Sequence, residues 1–321
     1  MNIASSLFSA FTLMIFSGLA GTANAQQGWS LKQLDAASFP PEIVAEKRKA
    51  SNNGLPDGLI ETAGRQDIRS AWYSQPTKRY THAILGDDIE AGALHVEDER
   101  GRNFKIILPK SEVFEDRAPR IADLDGNGTN EVITIRSSVT KGASVTVYGL
   151  KGNALVELAT TGFIGRANRW LNIAAIAPLL GSRTNEIAFV STPHIGGTLH
   201  VVRYTGGQLL NLGSLRDFSN HVIGSREMRL SAVADIDGNR TADIILPSAD
   251  RKQLRIIGFR ASGSTSGGGE TANLRQSSAG LKQLATIDLP SPVDKAIGLK
   301  TDGQKGFVAG LENGAVYLIH P

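Results

Sequence analysis

The chain contains no cysteine. A disulfide framework is therefore excluded, as is a lipid-bearing cysteine behind a leader, so stability has to come from burial of apolar surface. Aromatic residues make up only 6% of the chain. Beyond the first 25 residues no stretch approaches the roughly 20 apolar residues of a membrane-spanning helix. Charge of one sign is not in large excess: the formal net charge is +3, too little to imply nucleic-acid binding even at a pI of about 9.1. Catalytic signatures are missing as well. There is no G-x-S-x-G, H-E-x-x-H or phosphate-binding loop, and His82, His95, His194, His200, His221 and His320 form no spaced ligand pair.

What is present begins with a leader. "MNIASSLFSAFTLMIFSGLAGTANAQQ" has an uncharged apolar run and small residues ending Ala23-Asn24-Ala25, the pattern of a signal peptide over residues 1–25. The remainder, from Gln26, is expected to be exported to the periplasm or secreted. Helical periodicity is hard to find in it. Short β-branched runs recur instead between clusters of Gly, Asn, Asp and Pro, which reads as all-β.

The runs repeat. "RIADLDGNGTNEVITIRSS" from Arg120 matches "AVADIDGNRTADIILPSAD" from Ala232, with Asp123 and Asp235 separated by 112 residues. A degenerate copy, "IAPLLGSRTNEIAFVSTP" from Ile176, lies about halfway between them. Four strand-like runs per unit at this pitch are the mark of a propeller blade. Counting units gives five four-stranded blades at residues 59–116, 117–165, 166–225, 226–290 and 291–321, the fourth carrying a Gly/Ser-rich loop at 261–280. The last unit is one strand short. "LKQLDAASFP" (Leu31 to Pro40) matches "LKQLATIDLP" (Leu281 to Pro290), so residues 26–40 are expected to complete the closing blade, with 41–58 a polar connector. Closure of this kind removes exposed sheet edges.

The stretch "DLDGNGTNE" carries hard oxygen donors at Asp123, Asp125, Asn127 and Glu131, with glycines for the bend and a backbone carbonyl expected from Thr129. That donor number suits calcium. An EF-hand is excluded, because position 12 is Thr134, or Leu246 in the other copy, and a β-branched run follows. On these residues the chain resembles the FG-GAP/VCBS repeat family, the calcium-loop propellers also found in integrin alpha chains. The resemblance implies two structural calcium ions, held by Asp123, Asp125, Asn127, Thr129 and Glu131, and by Asp235, Asp237, Asn239, Thr241 and Asp243. Arg240 stands where the first loop has a glycine, which sets the backbone there against a positive φ. The third copy has Pro178, Leu180 and Ser182 in place of the first ligands, and near Lys300 only Asp302 survives, so those blades are expected to bind no metal.

Basic residues recur where each unit enters its innermost strand: Arg65 and Arg69, Arg117 and Arg120, Arg166 and Arg169, Arg226 and Arg229, and Lys295. Trp72 and Trp170 are close to them in sequence. Two readings stand. These nine residues ring a channel mouth opposite the calcium loops and bind anions, or they pair with Asp67, Asp116, Glu227 and Asp294 in the same loops. The expectation is a monomeric, non-catalytic binding or scaffold module for a protein or an anionic glycan, without nucleic acid or membrane span. A polysaccharide lyase or hydrolase on the same scaffold is the alternative.

Overall fold

Strand-forming runs divided by turn residues organise the chain into successive up-and-down meanders. The computed structural model describes residues 28–35, 39, 53–64, 66–261, 279–299 and 306–321. The expected leader, the connector from 41 to 52, Arg65, most of the Gly/Ser-rich loop and Asp302 lie outside the described residues.

The first meander is β2 (Glu61–Thr62), β3 (Ile68–Thr77), β4 (Glu90–Asp98) and β5 (Asn103–Ile107). After β6 (Glu112–Phe114) come β7 (Arg120–Ala122), β8 (Glu131–Ser138), β9 (Gly142–Lys151) and β10 (Ala154–Thr160). The third comprises β11 (Leu171–Ala177), β12 (Glu186–Ser191), β13 (Thr198–Thr205) and β14 (Gln208–Arg216). The fourth is β15 (Ala232–Ala234), β16 (Asp243–Pro247), β17 (Gln253–Ala261) and β18 (Ala279–Asp288). The last has only β19 (Val293–Leu299), β20 (Phe307–Leu311) and β21 (Val316–His320) from the carboxyl end. Its fourth strand is β1 (Ser30–Leu34), which runs antiparallel to β21 with Ser30 opposite His320 and Leu34 opposite Val316.

All pairings are antiparallel, and three of the sheets have four strands. The first two meanders are not separate sheets. The short strand β6 pairs with β8 over Glu112 to Phe114 and touches β4 through Phe114 and Ala91, fusing both meanders into one nine-stranded sheet. The cause is apolar: Val113 and Phe114 are fully buried, and the Phe114 ring stacks on Tyr73 at 5.1 Å.

Burial explains which runs read as continuous and which alternate. The second strand of a meander is covered on both faces, so β12, β16 and β20 are buried along almost their whole length. Fourth strands such as β5 and β14 alternate with solvent. Apolar layers lie between consecutive meanders. Leu94, Phe114, Val132 and Tyr148 share one, and Ile133, Val147, Ile173 and Ile187 the next. Val190, Val201, Ile244 and Ile257 share a third, and Ile245, Ile256, Phe307 and Ile319 a fourth. The first strands of several meanders are short and line a cavity of about 830 Å3. No helix among the described residues is long and apolar enough to cross a membrane.

Candidate metal loops and the opposite end

The loop from Asp123 to Glu131 joins β7 to β8. Its shape is set by the Asp123 carboxylate, whose Oδ1 accepts from the Gly126 N–H (2.8 Å) and Asn127 N–H (3.2 Å), and whose Oδ2 accepts from the Gly128 N–H (2.9 Å). Gly126 and Gly128 both take positive φ, at 75° and 87°, which glycine adopts without strain. Asn127 Oδ1 accepts from the Thr129 N–H (2.7 Å) and hydroxyl (2.6 Å). Oxygens of Asp123, Asp125 and Glu131 converge within 4.8 Å of one another, so this cluster can hold a metal ion. Glu131 is only 4% exposed, and its Oε2 accepts from the Leu124 N–H at 2.8 Å. Burial, with Asp125, Asp123 and Asp67 nearby, pushes its carboxyl up to about 7. Among the described residues no basic side chain pairs with these three acids.

The second loop, between β15 and β16, copies this frame. Asp235 accepts from the N–H groups of Gly238, Asn239 and Arg240 at 2.9, 3.0 and 2.8 Å, and Asn239 Oδ1 from that of Thr241 at 2.7 Å. Arg240 does adopt the positive φ that its glycine counterpart takes, at 70°. Asp235, Asp237 and Asp243 form the second convergent cluster. It differs in one respect. Arg260, near the end of β17, lies against Asp237 (2.5 Å) and Asp243 (3.0 Å). Burial raises the Asp243 carboxyl, while the Ile236 N–H and Arg260 pull the other way.

The degenerate third loop keeps the last acid and the same backbone anchor: the Leu180 N–H donates to Glu186 Oε2 at 3.2 Å. Here Arg203 supplies the counter-charge at 2.7 Å, with the Thr184 hydroxyl on the same oxygen at 3.1 Å.

β7 carries the chain from Arg120 toward the first loop and β8 brings it back, so the segments before β7 and after β8 share the end opposite the loops. Arg117, Arg120, Arg226 and Arg229 line the cavity there, together with Asp116, Glu61 and Glu227. They are met by acids. Asp57 lies 3.1 Å from Arg117 and 3.2 Å from Arg226, Asp87 is 2.8 Å from Arg226, Glu227 is 2.7 Å from Arg229, and Arg120 pairs with Asp116. Lys295 pairs with the adjacent Asp294 at 3.0 Å. Of the two readings of the basic residues, ion pairing describes these five.

The first unit does not follow the expected register. Arg69 is in β3, the second strand, near Glu97 at 3.6 Å, so it belongs beside the connection equivalent to a metal loop. The segment that leads into β2 supplies Asp57 instead of a cation. Arg166 and Arg169 alone lack a carboxylate partner among the described basic residues of the expected ring. Trp72 stacks on His95 at 5.2 Å, and Trp170 is 2% exposed, so neither presents a free ring to the cavity.

The same end buries a group of titratable side chains that spacing did not reveal. His82 Nδ1 lies 2.6 Å from Glu115 Oε1, and the Ser137 hydroxyl donates to Glu115 Oε2. Burial raises the Glu115 carboxyl; His82 and Ser137 offset part of that. Glu90, 2% exposed, has no hydrogen-bond donor among the described residues, and burial, with Glu115, Asp87, Asp57 and Asp116 around it, pushes it up to about 9. His194 Nε2 and His221 Nδ1 are 3.0 Å apart. His221 Nε2 faces the Ser225 carbonyl at 3.0 Å and must donate to it, so its Nδ1 accepts from His194. Burial lowers these two imidazoles to about 3 and about 4, which keeps both neutral. Ser137 bonds to a carboxylate and not to an imidazole, unlike an activated nucleophile on its base.

No family model matches this chain, and no curated protein does. Among solved structures it is similar to the crystal structure of an exotype rhamnogalacturonan lyase, YesX, at 13% identity and a TM-score of 0.40. The match covers 83% of this chain and 56% of that one, so the chain spans little more than half the length of that structure.

Proposed function

We propose that the chain is an exported five-bladed β-propeller, closed by β1 in its last blade and stabilised by calcium in its acidic loops. Its role is a non-catalytic binding or scaffold module for an anionic partner, an acidic protein or glycan. The ring is supported by the pairing of β1 with β21 and by the apolar layers between consecutive meanders. Contacts across the centre fit it too: Arg226, ahead of the fourth meander, reaches Asp57 and Asp87 of the first. Calcium is supported by three convergent carboxylates in each loop, a hard-oxygen donor set.

The observation that carries the binding role is the pair Arg166 and Arg169. Among the described residues they have no carboxylate partner, on an end where the neighbouring arginines are matched by acids. Exposed Ile195 and Ile223 lie on loops tied to the same place, through the Thr192 N–H to Trp170 O bond and the His194–His221 contact. Guanidinium forks suit carboxylate, sulfate or phosphate oxygens. The test is retention of the full chain on an immobilised sulfated glycan and on an acidic protein. Retention should fall steeply with salt, since surface attraction is screened over about 10 Å at 0.1 M. Replacing Arg166 and Arg169 with Ser should lower retention with melting unchanged. Unchanged retention in a destabilised double variant would make these arginines structural ties and end the binding-face reading.

A further inference from the structure

The two acidic loops look equivalent in sequence, yet their carboxylate oxygens are not equally free. In the first loop Asp123 spends both oxygens on backbone N–H groups, Asp125 Oδ1 accepts from the Asn127 N–H at 3.2 Å, and Glu131 Oε2 accepts from Leu124. Two oxygens are left without a donor among the described residues: Asp125 Oδ2 and Glu131 Oε1. The second belongs to a side chain more than nine-tenths buried. In the second loop the backbone bonds repeat, with Asp237 Oδ1 accepting from the Asn239 N–H at 3.3 Å and Asp243 Oδ2 from the Ile236 N–H at 3.1 Å. The two counterpart oxygens, Asp237 Oδ2 and Asp243 Oδ1, are the ones Arg260 takes, at 2.5 and 3.0 Å.

We infer that the Arg260 guanidinium is the resident cation of the second loop, holding the place a calcium ion takes in the first, so that the chain binds one calcium tightly rather than two. This rests on the calcium reading proposed above. The degenerate loop shows the same device carried to completion: its early acids are gone, and Arg203 covers the remaining Glu186. Strand register shows how each guanidinium arrives. Carried one residue past its last pair, it sets Arg203 opposite Glu186, but Gly149 opposite Glu131 and Gly258 opposite Asp243. A side chain on Gly258 would overlap Asp243 and Arg260, so the glycine there leaves room for Arg260 to fold back from two residues further along β17. The corresponding residue of β9 is Lys151, which is exposed and has no ion pair among the described residues. The first loop therefore keeps its oxygens open.

The physical reason is competition. A fully buried carboxylate such as Asp243 must be paired, and calcium would have to strip a guanidinium from two acids before binding. The second loop should bind calcium at least tenfold more weakly than the first. Calorimetric titration of the calcium-stripped full chain with calcium chloride reads this directly. The wild type is expected to take one tight equivalent, and Arg260→Met, which keeps the apolar stem without the charge, to take two. Asp123→Ala should abolish tight binding in the wild-type background. Two wild-type equivalents of similar affinity, or an Arg260→Met protein that still takes one, would overturn the inference while leaving calcium in place. No calcium bound by either protein would overturn the calcium reading and this inference with it. Should Arg260→Met not fold, Asp123→Ala decides alone: a full tight equivalent left in it would put the ion in the second loop.

Discussion

The first acidic loop and the opposite end of the molecule handle charge by different means. At the loop end the acids of Asp123, Asp125 and Glu131 converge with no basic side chain paired to them among the described residues, a site that a bound cation would neutralise. At the other end the acids and bases, Arg166 and Arg169 excepted, are settled internally. Arg117, Arg120, Arg226 and Arg229 are each paired, Glu90 is held protonated by burial, and His194 and His221 are held neutral. The difference teaches where to look for control: the loop end should answer to calcium, the other end to pH. Both ends hang on the same strands, β7 and β8 among them, so each response can be read as a change in global stability.

The largest expected effect removes the frame itself. Deleting residues 26–40 leaves β21 with an unpaired edge and uncovers the apolar layer that Trp29 and Leu31 help to cover. The truncated chain should aggregate or lose cooperative urea unfolding altogether. Equal solubility and an unchanged transition would mean that β1 contributes nothing to closure.

Next comes the loop end. A ligand bound only by the folded state adds about 2.7 kcal/mol at a hundredfold excess over Kd. Millimolar calcium should therefore raise the Tm by several degrees and a chelator reverse it. Asp123→Ala combined with Asp235→Ala should abolish the shift, and a persistent calcium response in that double variant would place the ion elsewhere.

Much of this architecture was legible in the residues, and the illegible part has a common cause. Runs such as "EVITI" and "DIILP" read as strands because both faces are covered, and the Asp and Gly spacing announces loops whose hydrogen bonds are local. The repeated "LKQL" aligns β1 with β18, and each is the outer strand of its sheet. What spacing cannot announce is a partner across the fold. Arg260 reaches Asp243 over a hairpin, Glu115 meets His82 from 33 residues away, and Asp57 draws Arg226 from the far side of the cavity. Arg69 departs from the repeat for a related reason: the first unit has a two-residue inner strand, which shifts the register by one connection. The β6 bridge, only three residues long, is too short to show a period at all.

A smaller effect belongs to Glu90. Its folded carboxyl titrates near 9, far above the ordinary carboxylate value, so its protonated form contributes stability that is complete at low pH and lost as pH rises toward 9. Glu90→Gln removes that dependence. At pH 6 the variant should be the more stable by on the order of 2 kcal/mol in urea unfolding, with the gap closing near pH 4.5. A gap that stays constant with pH would show that Glu90 ionises as freely as it does in the unfolded chain. Calcium should leave the gap untouched, which separates the two ends.

The smallest effect runs the other way. His194 and His221 titrate near 3 and 4 in the folded protein, below the ordinary imidazole value of 6.5, because burial against Trp170 disfavours their charged forms. Below pH 6.5 the unfolded chain takes up protons that the folded one refuses. Stability from this pair is thus complete above 6.5 and falls with pH, by about 1 kcal/mol per pH unit for each proton. His194→Gln should flatten that acid limb between pH 6.5 and 4.5 by roughly one proton's slope, measured against wild type so that the opposing contribution of Glu90 cancels. The side-chain nitrogen of Gln can still donate to His221, which keeps the neighbouring bond while removing the titrating ring. If the variant and wild type lose stability in parallel, the imidazoles are charged in the folded state, and the internally neutral account of this end fails.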